Sequence, residues 1–106
     1  MNDRELLELA ARAAGYQFSY SYRSLSSPAV PVILAETGRW RKWDPRHDDG
    51  DALRLAVSTD LHKRLHEILT GPAYRADALS YGEQCATRRA ITKAAAEIGK
   101  SMGGGE

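Results

Sequence analysis

The run Tyr16-Gln17-Phe18-Ser19-Tyr20-Ser21-Tyr22-Arg23 alternates large aromatic with polar side chains at every second position. A period of two sends successive side chains to opposite faces of an extended chain, so this stretch reads as a strand with one buried face. Four of the eight aromatics in the chain lie on that face, which favours packing beneath helices over an exposed platform for stacking bases. On its N-terminal side, Leu6, Leu7, Leu9, Ala10, Ala13 and Ala14 recur at helical spacing behind an Asn2/Glu5 capping box. That spacing predicts a helix over 3–14 with a glycine C-cap at Gly15. On its C-terminal side, Ser24 to Ser27 with Pro28 and Pro31 interrupts regular structure, and the short branched run Val32 to Ala35 predicts a second strand. Gly38 permits a tight turn. Arg39 to Trp43 then predicts a third strand, with Trp40 on one side and Arg39, Arg41 and Trp43 on the other.

Beyond the strands, Asp44-Pro45-Arg46-His47-Asp48-Asp49-Gly50-Asp51 is a polar turn that places acids at the start of a second helix, whose expected buried stripe is Leu53, Ala56 and Val57. Residues 61 to 69 suit two periods. Leu61, Leu65, Ile68 and Leu69 fit a helix, whereas Leu61, Leu65 and Leu69 with the intervening His62, Arg64 and His66 fit a strand. Gly71-Pro72 ends that segment, Tyr74 to Tyr81 reads as a weak strand or loop, and Ser80 with Glu83 forms a second capping box. Ala86, Ala90, Ile91, Ala94, Ile98 and Met102 mark a long last helix, with Arg89, Lys93, Glu97 and Lys100 outside and a flexible glycine-rich tail at 103–106.

The 106 residues, 42% hydrophobic and 27% charged, suit a single domain over 1–106 that folds without disulfides, and the lone Cys85 fits a reducing compartment. Fifteen Lys and Arg against fourteen Asp and Glu leave a net charge of +1, which supports neither an acidic DNA mimic nor a globally basic polyanion binder. The longest purely apolar run, Val32 to Ala35, is too short to span a membrane, and the Asp3-Arg4-Glu5 opening lacks the apolar core of a secretory signal.

Motifs for chemistry are sparse. There is no Walker loop, GxGxxG or GxSxG. His47, Asp48, Asp49 and Asp51 are metal-competent but lack the length and terminal glutamate of a calcium loop, and acids at a helix start cap it. His62 and His66 would share a face as helix or strand, which frames one alternative: a metal-dependent hydrolase completed by Asp48, Asp49 or Asp51. Cys85 has no nucleophile signature around it and reads as a small buried residue. A nucleic-acid alternative would use Arg39, Arg41, Lys42, Arg88, Arg89 and Lys93 as a basic face. The most interface-like cluster is Arg39, Trp40, Arg41 and Lys42, because tryptophan and arginine are the residues most enriched at binding hot spots. No cofactor, metal or catalytic residue is assigned.

Three stretches carry a resemblance: Glu5-Leu6-Leu7-Glu8-Leu9-Ala10-Ala11-Arg12-Ala13-Ala14-Gly15-Tyr16, then Trp43-Asp44-Pro45 with Asp48-Asp49-Gly50-Asp51-Ala52-Leu53-Arg54-Leu55-Ala56-Val57, then Ala86-Thr87-Arg88-Arg89-Ala90-Ile91-Thr92-Lys93-Ala94-Ala95-Ala96-Glu97-Ile98-Gly99. Together they resemble small proteins of tailed bacteriophages and prophages akin to the phage ABA sandwich domain family. The resemblance implies that 61–69 pairs as a strand beside the Tyr16 strand, that Trp43 is core, and that Trp40 is left as an exposed anchor. It carries no catalytic residues. Pattern and resemblance together predict an α+β sandwich, a mostly antiparallel sheet of about four strands packed with three helices. The setting it implies is a non-catalytic accessory protein in the host bacterial cytoplasm. There it would bind a host protein or complex, such as a CRISPR defence system, with a second copy of the chain as another partner and no membrane or nucleic acid.

Overall fold

The computed structural model describes residues 3–21 and 30–102. Asn2, Tyr22, the serine-proline connection before Val30 and the 103–106 tail lie outside the described residues. Helix α1 (Asp3–Ala14) ends at Gly15, whose φ of 78° is the left-handed turn that glycine adopts freely. The amides of Gly15 and Tyr16 reach back to the carbonyls of Arg12 and Ala11, closing the helix as expected. Strands β1 (Phe18–Ser21), β2 (Val30–Leu34) and β3 (Trp40–Lys42) form an antiparallel sheet in the order β1-β2-β3. Phe18 registers opposite Ile33, and Ile33 opposite Arg41. Phe18, Ile33 and Arg41 therefore share the face turned toward the helices. Val32 and Lys42, and Leu34 and Trp40, are paired on the other face.

Helix α2 (Asp49–Ser58) leads through a 3₁₀ turn (Leu61–Arg64) into the short α3 (Leu65–Ile68), followed by α4 (Pro72–Tyr81) and α5 (Glu83–Met102). The expected sheet of about four strands with three helices is thus corrected to three strands with five helices among the described residues. Two segments account for the difference. Residues 61 to 69 coil because Leu61, Leu65 and Ile68 turn to the core at helical spacing, and the Leu69 amide bonds the Leu65 carbonyl. Residues 74 to 81, expected as a weak strand or loop, are helical because Pro72 sits at the first helical turn, where its missing amide is no loss. Ser80 lies inside α4 and not at the start of α5. The break before α5 is instead Gly82, at φ 89°.

Two helices are also rotated from their expected faces. In α2 the buried residues are Asp51, Ala52, Leu55 and Ala56, while Leu53 and Val57 are exposed, because the polar partners of Asp51 draw it inward and set the helix phase. In α5 the buried face is Ala86, Ile91, Thr92, Ala95, Ala96 and Gly99. Ala90, Ala94 and Ile98 are half-buried, and Met102 is exposed. The cause is α1, the most extensive neighbour of α5. It comes so close that a Cβ at Gly99 would overlap the Leu9 carbonyl. One cluster, including Leu7, Ala10, Ala11, Ile33, Trp43, Leu55, Leu61 and Ala95, ties both helices to the sheet.

Candidate functional site

Trp40 and Trp43 separate as the alternation of a strand requires. Trp43 is fully buried, and its ring meets Tyr16 and Phe18 edge-on at centroid distances of 5.8 and 5.9 Å. Tyr16 and Phe18 are half-buried and pack against the core, whereas Tyr20 is half-buried between the Phe18 ring and the Arg4 guanidinium. Trp40 is 50% exposed on the face away from the helices, where it registers opposite Leu34. Arg39 and Lys42 beside it are also exposed, and among the described residues no carboxylate lies within ion-pair distance of either.

Arg41 does not belong with them. On the inner face its Nη1 donates to Asp51 Oδ1 at 3.2 Å, and Arg54 Nη2 donates to the same oxygen at 2.8 Å. The Asp44 amide donates to Asp51 Oδ2 at 3.0 Å. Burial opposes the charge of Asp51, but the Asp44 amide and the guanidiniums of Arg54 and Arg41 outweigh it and hold the carboxyl below its ordinary range. Asp48 caps α2 by accepting from the Asp51 amide at 2.8 Å. Pattern reading named Asp51 only as a helix-start or metal-competent acid and missed that it is buried and paired with Arg41 and Arg54. An acid three positions after a capping acid was the available signal, but its target is the amide of Asp44 in the preceding turn, which no local pattern specifies.

The remaining candidates are dispersed or engaged. Arg88 donates to Asp49 Oδ1 at 2.6 Å and to the Arg46 carbonyl at 2.9 Å, tying α5 to the turn before α2. Arg89 and Lys93 face Asp77 of α4 at 3.5 and 3.7 Å. The proposed basic face therefore reduces, in cations unpaired among the described residues, to Arg39 and Lys42. His62 Nδ1 lies 3.4 Å from the Ala56 carbonyl, and His47 Nδ1 lies 2.7 Å from Asp44 Oδ2. Among the described residues no three His, Cys, Asp or Glu side chains gather to hold a metal, so His62 and His66 are not joined by the acids at 48, 49 and 51. Cys85 is half-buried near the start of α5. No helix among the described residues is long and apolar enough to cross a membrane.

Comparison with known protein families, curated proteins and solved structures gives no match to this chain. None of these comparisons links the chain to tailed-phage proteins.

Proposed function

We propose that the chain is a non-catalytic accessory protein that binds another protein through the outer surface of β3, with Trp40 as the anchor and Arg39 and Lys42 beside it. The observation that carries this reading is the half-exposed Trp40 on the sheet face away from the helices, next to cations that no carboxylate of the described chain neutralises. A large ring left in water loses the burial free energy that a partner would restore, and such residues dominate binding energies. The tailed-phage resemblance supports a host protein as the target, in the bacterial cytoplasm, for example a component of a defence complex such as CRISPR.

Trp40→Ala tests this. The variant should melt close to the wild type while capture of the host partner weakens by about 2 kcal/mol, roughly thirtyfold. Capture from host lysate that is equal for wild type and variant overturns the reading, as does a variant that melts far below wild type.

A further inference from the structure

We propose that β3 is the docking edge for an extended acidic segment of the partner, which adds to the sheet as a further strand. This rests on the reading of the Trp40 surface as the binding face. Its basis is the hydrogen-bond parity of β3. The order β1-β2-β3 leaves β3 at an edge of the sheet. The Ala35 amide donates to the Arg39 carbonyl and the Trp43 amide to the Pro31 carbonyl, both at 2.9 Å. Residues 39, 41 and 43 therefore aim their backbone groups at β2, and by alternation Trp40 and Lys42 aim theirs away from it. Among the described residues no backbone group meets those two amides, and the Lys42 carbonyl takes only a long contact of 3.5 Å from Arg41 Nη1. Open amides and carbonyls at a sheet edge are a template for another strand.

The side chains select what can use it. Lys42 stands on the outer face with Trp40, and Arg39 has the parity of the inner face, so one cation unpaired among the described residues flanks the edge on each side, while Arg41 is engaged by Asp51. Pairing with a second copy would bring Arg39 and Lys42 from each chain to one seam, and like charges across strands are destabilising. An acidic strand has its charges answered, and its apolar side chains have Trp40 to cover. An edge lysine alone serves to repel unwanted strands. A half-exposed tryptophan next to it does not serve that purpose.

The probe is a display library of random peptides about ten residues long, near the upper length of ordinary strands, selected on the wild-type protein. Expected are acidic sequences rich in β-branched residues whose binding slows exchange of the Trp40 and Lys42 amides by at least about tenfold. Lys42→Pro, which removes one outward amide at an edge position where proline is tolerated, should weaken these peptides by at least about tenfold, and Lys42→Gln by less. N-methylation of alternate peptide amides should abolish binding, which keeps the test decisive if Lys42→Pro fails to fold.

The proposal is overturned if no peptide is enriched, if the enriched peptides are not acidic, or if they bind without protecting those two amides. A concentration-dependent dimer that Lys42→Pro abolishes would make the occupant a second copy and overturn the acidic one. Peptides lost with Trp40→Ala but never protecting the edge would leave the binding surface standing and overturn strand addition alone. Edge protection that survives Trp40→Ala would support strand addition and remove Trp40 as the anchor.

Discussion

The two flanks of α5 are built on different physics. Against α1 the helix sets Gly99 on the Leu9 backbone with no room for an added methyl group, and Ala95 and Ala96 of α5 and Ala10 and Ala11 of α1 have essentially no exposed surface. Against α4 it makes polar contacts. Tyr74 Oη lies 3.3 Å from Thr87 Oγ1, Asp77 faces Arg89 and Lys93, and the Arg89 guanidinium lies 4.8 Å over the Tyr81 ring. No residue of α4 is buried, and Leu79 is 90% exposed. Dispersion and apolar burial accumulate only where water is excluded, whereas exposed ion pairs are individually worth about 0–1 kcal/mol. One helix can thus hold a rigid neighbour on one side and a loosely held one on the other.

The largest effect that would break this contrast is at Trp43, which closes the core flank from the sheet side. Trp43→Ala should destabilise the protein by about 3–5 kcal/mol, read by chemical denaturation. Trp43→Phe should cost less, because the buried indole N–H has no acceptor among the described residues to lose. A mild Trp43→Ala phenotype would mean that the cluster around α1 and α5 holds together without the sheet.

Next is Asp51. Asp51→Asn should cost about 1.5–3 kcal/mol at neutral pH, the range for hydrogen bonds to a charged group. Because the folded carboxyl titrates below its ordinary value of 3.8, its contribution is fully present above that value and is lost as pH falls through the folded one. The gap between wild type and Asp51→Asn, followed by thermal melts, should therefore be constant through neutral pH and close in strong acid. A gap that persists there would assign the effect to packing.

Gly99→Ala sharpens the close-approach side. In a solvent-facing helix position the change would favour folding by about 1 kcal/mol. Here overlap with the Leu9 carbonyl should reverse the sign, for a net loss of about 1–3 kcal/mol. On the opposite flank Leu79→Ala should change stability by less than about 0.5 kcal/mol. In hydrogen exchange, α4 amides should open well before those of α1 and the middle of α5. Equal protection on both sides would show that the contacts of α4 are worth more than their exposure suggests.

The same contrast explains which parts of the molecule were legible in the sequence. The α1 helix with its Gly15 cap, the aromatic alternation of β1 and the opposite fates of Trp40 and Trp43 are local signals, and each follows from period or parity. The segments at 61–69 and 74–81 did not yield, because the first fits two periods equally and the second has no buried face to impose one. The rotated stripes of α2 and α5 depend on partners distant in sequence: Asp44 and Arg41 for Asp51, and Leu9 for Gly99. The Arg39–Lys42 cluster was visible as composition. That Arg41 turns inward to a buried carboxylate was not, since Asp51 carries no apolar signal of burial.

The unequal surroundings of the two tryptophans also make the molecule an optical instrument for its own study. Trp43, dry and ringed by Tyr16 and Phe18, should emit at short wavelength and be inaccessible to aqueous quenchers. Trp40, half in water on the far side of the sheet, should emit further to the red and quench readily. Loss of the short-wavelength component then reports unfolding, while a blue shift and shielding of the red component report occupancy of β3. Trp40→Phe removes the second channel without touching the first, so folding and docking can be followed separately in an unlabelled sample.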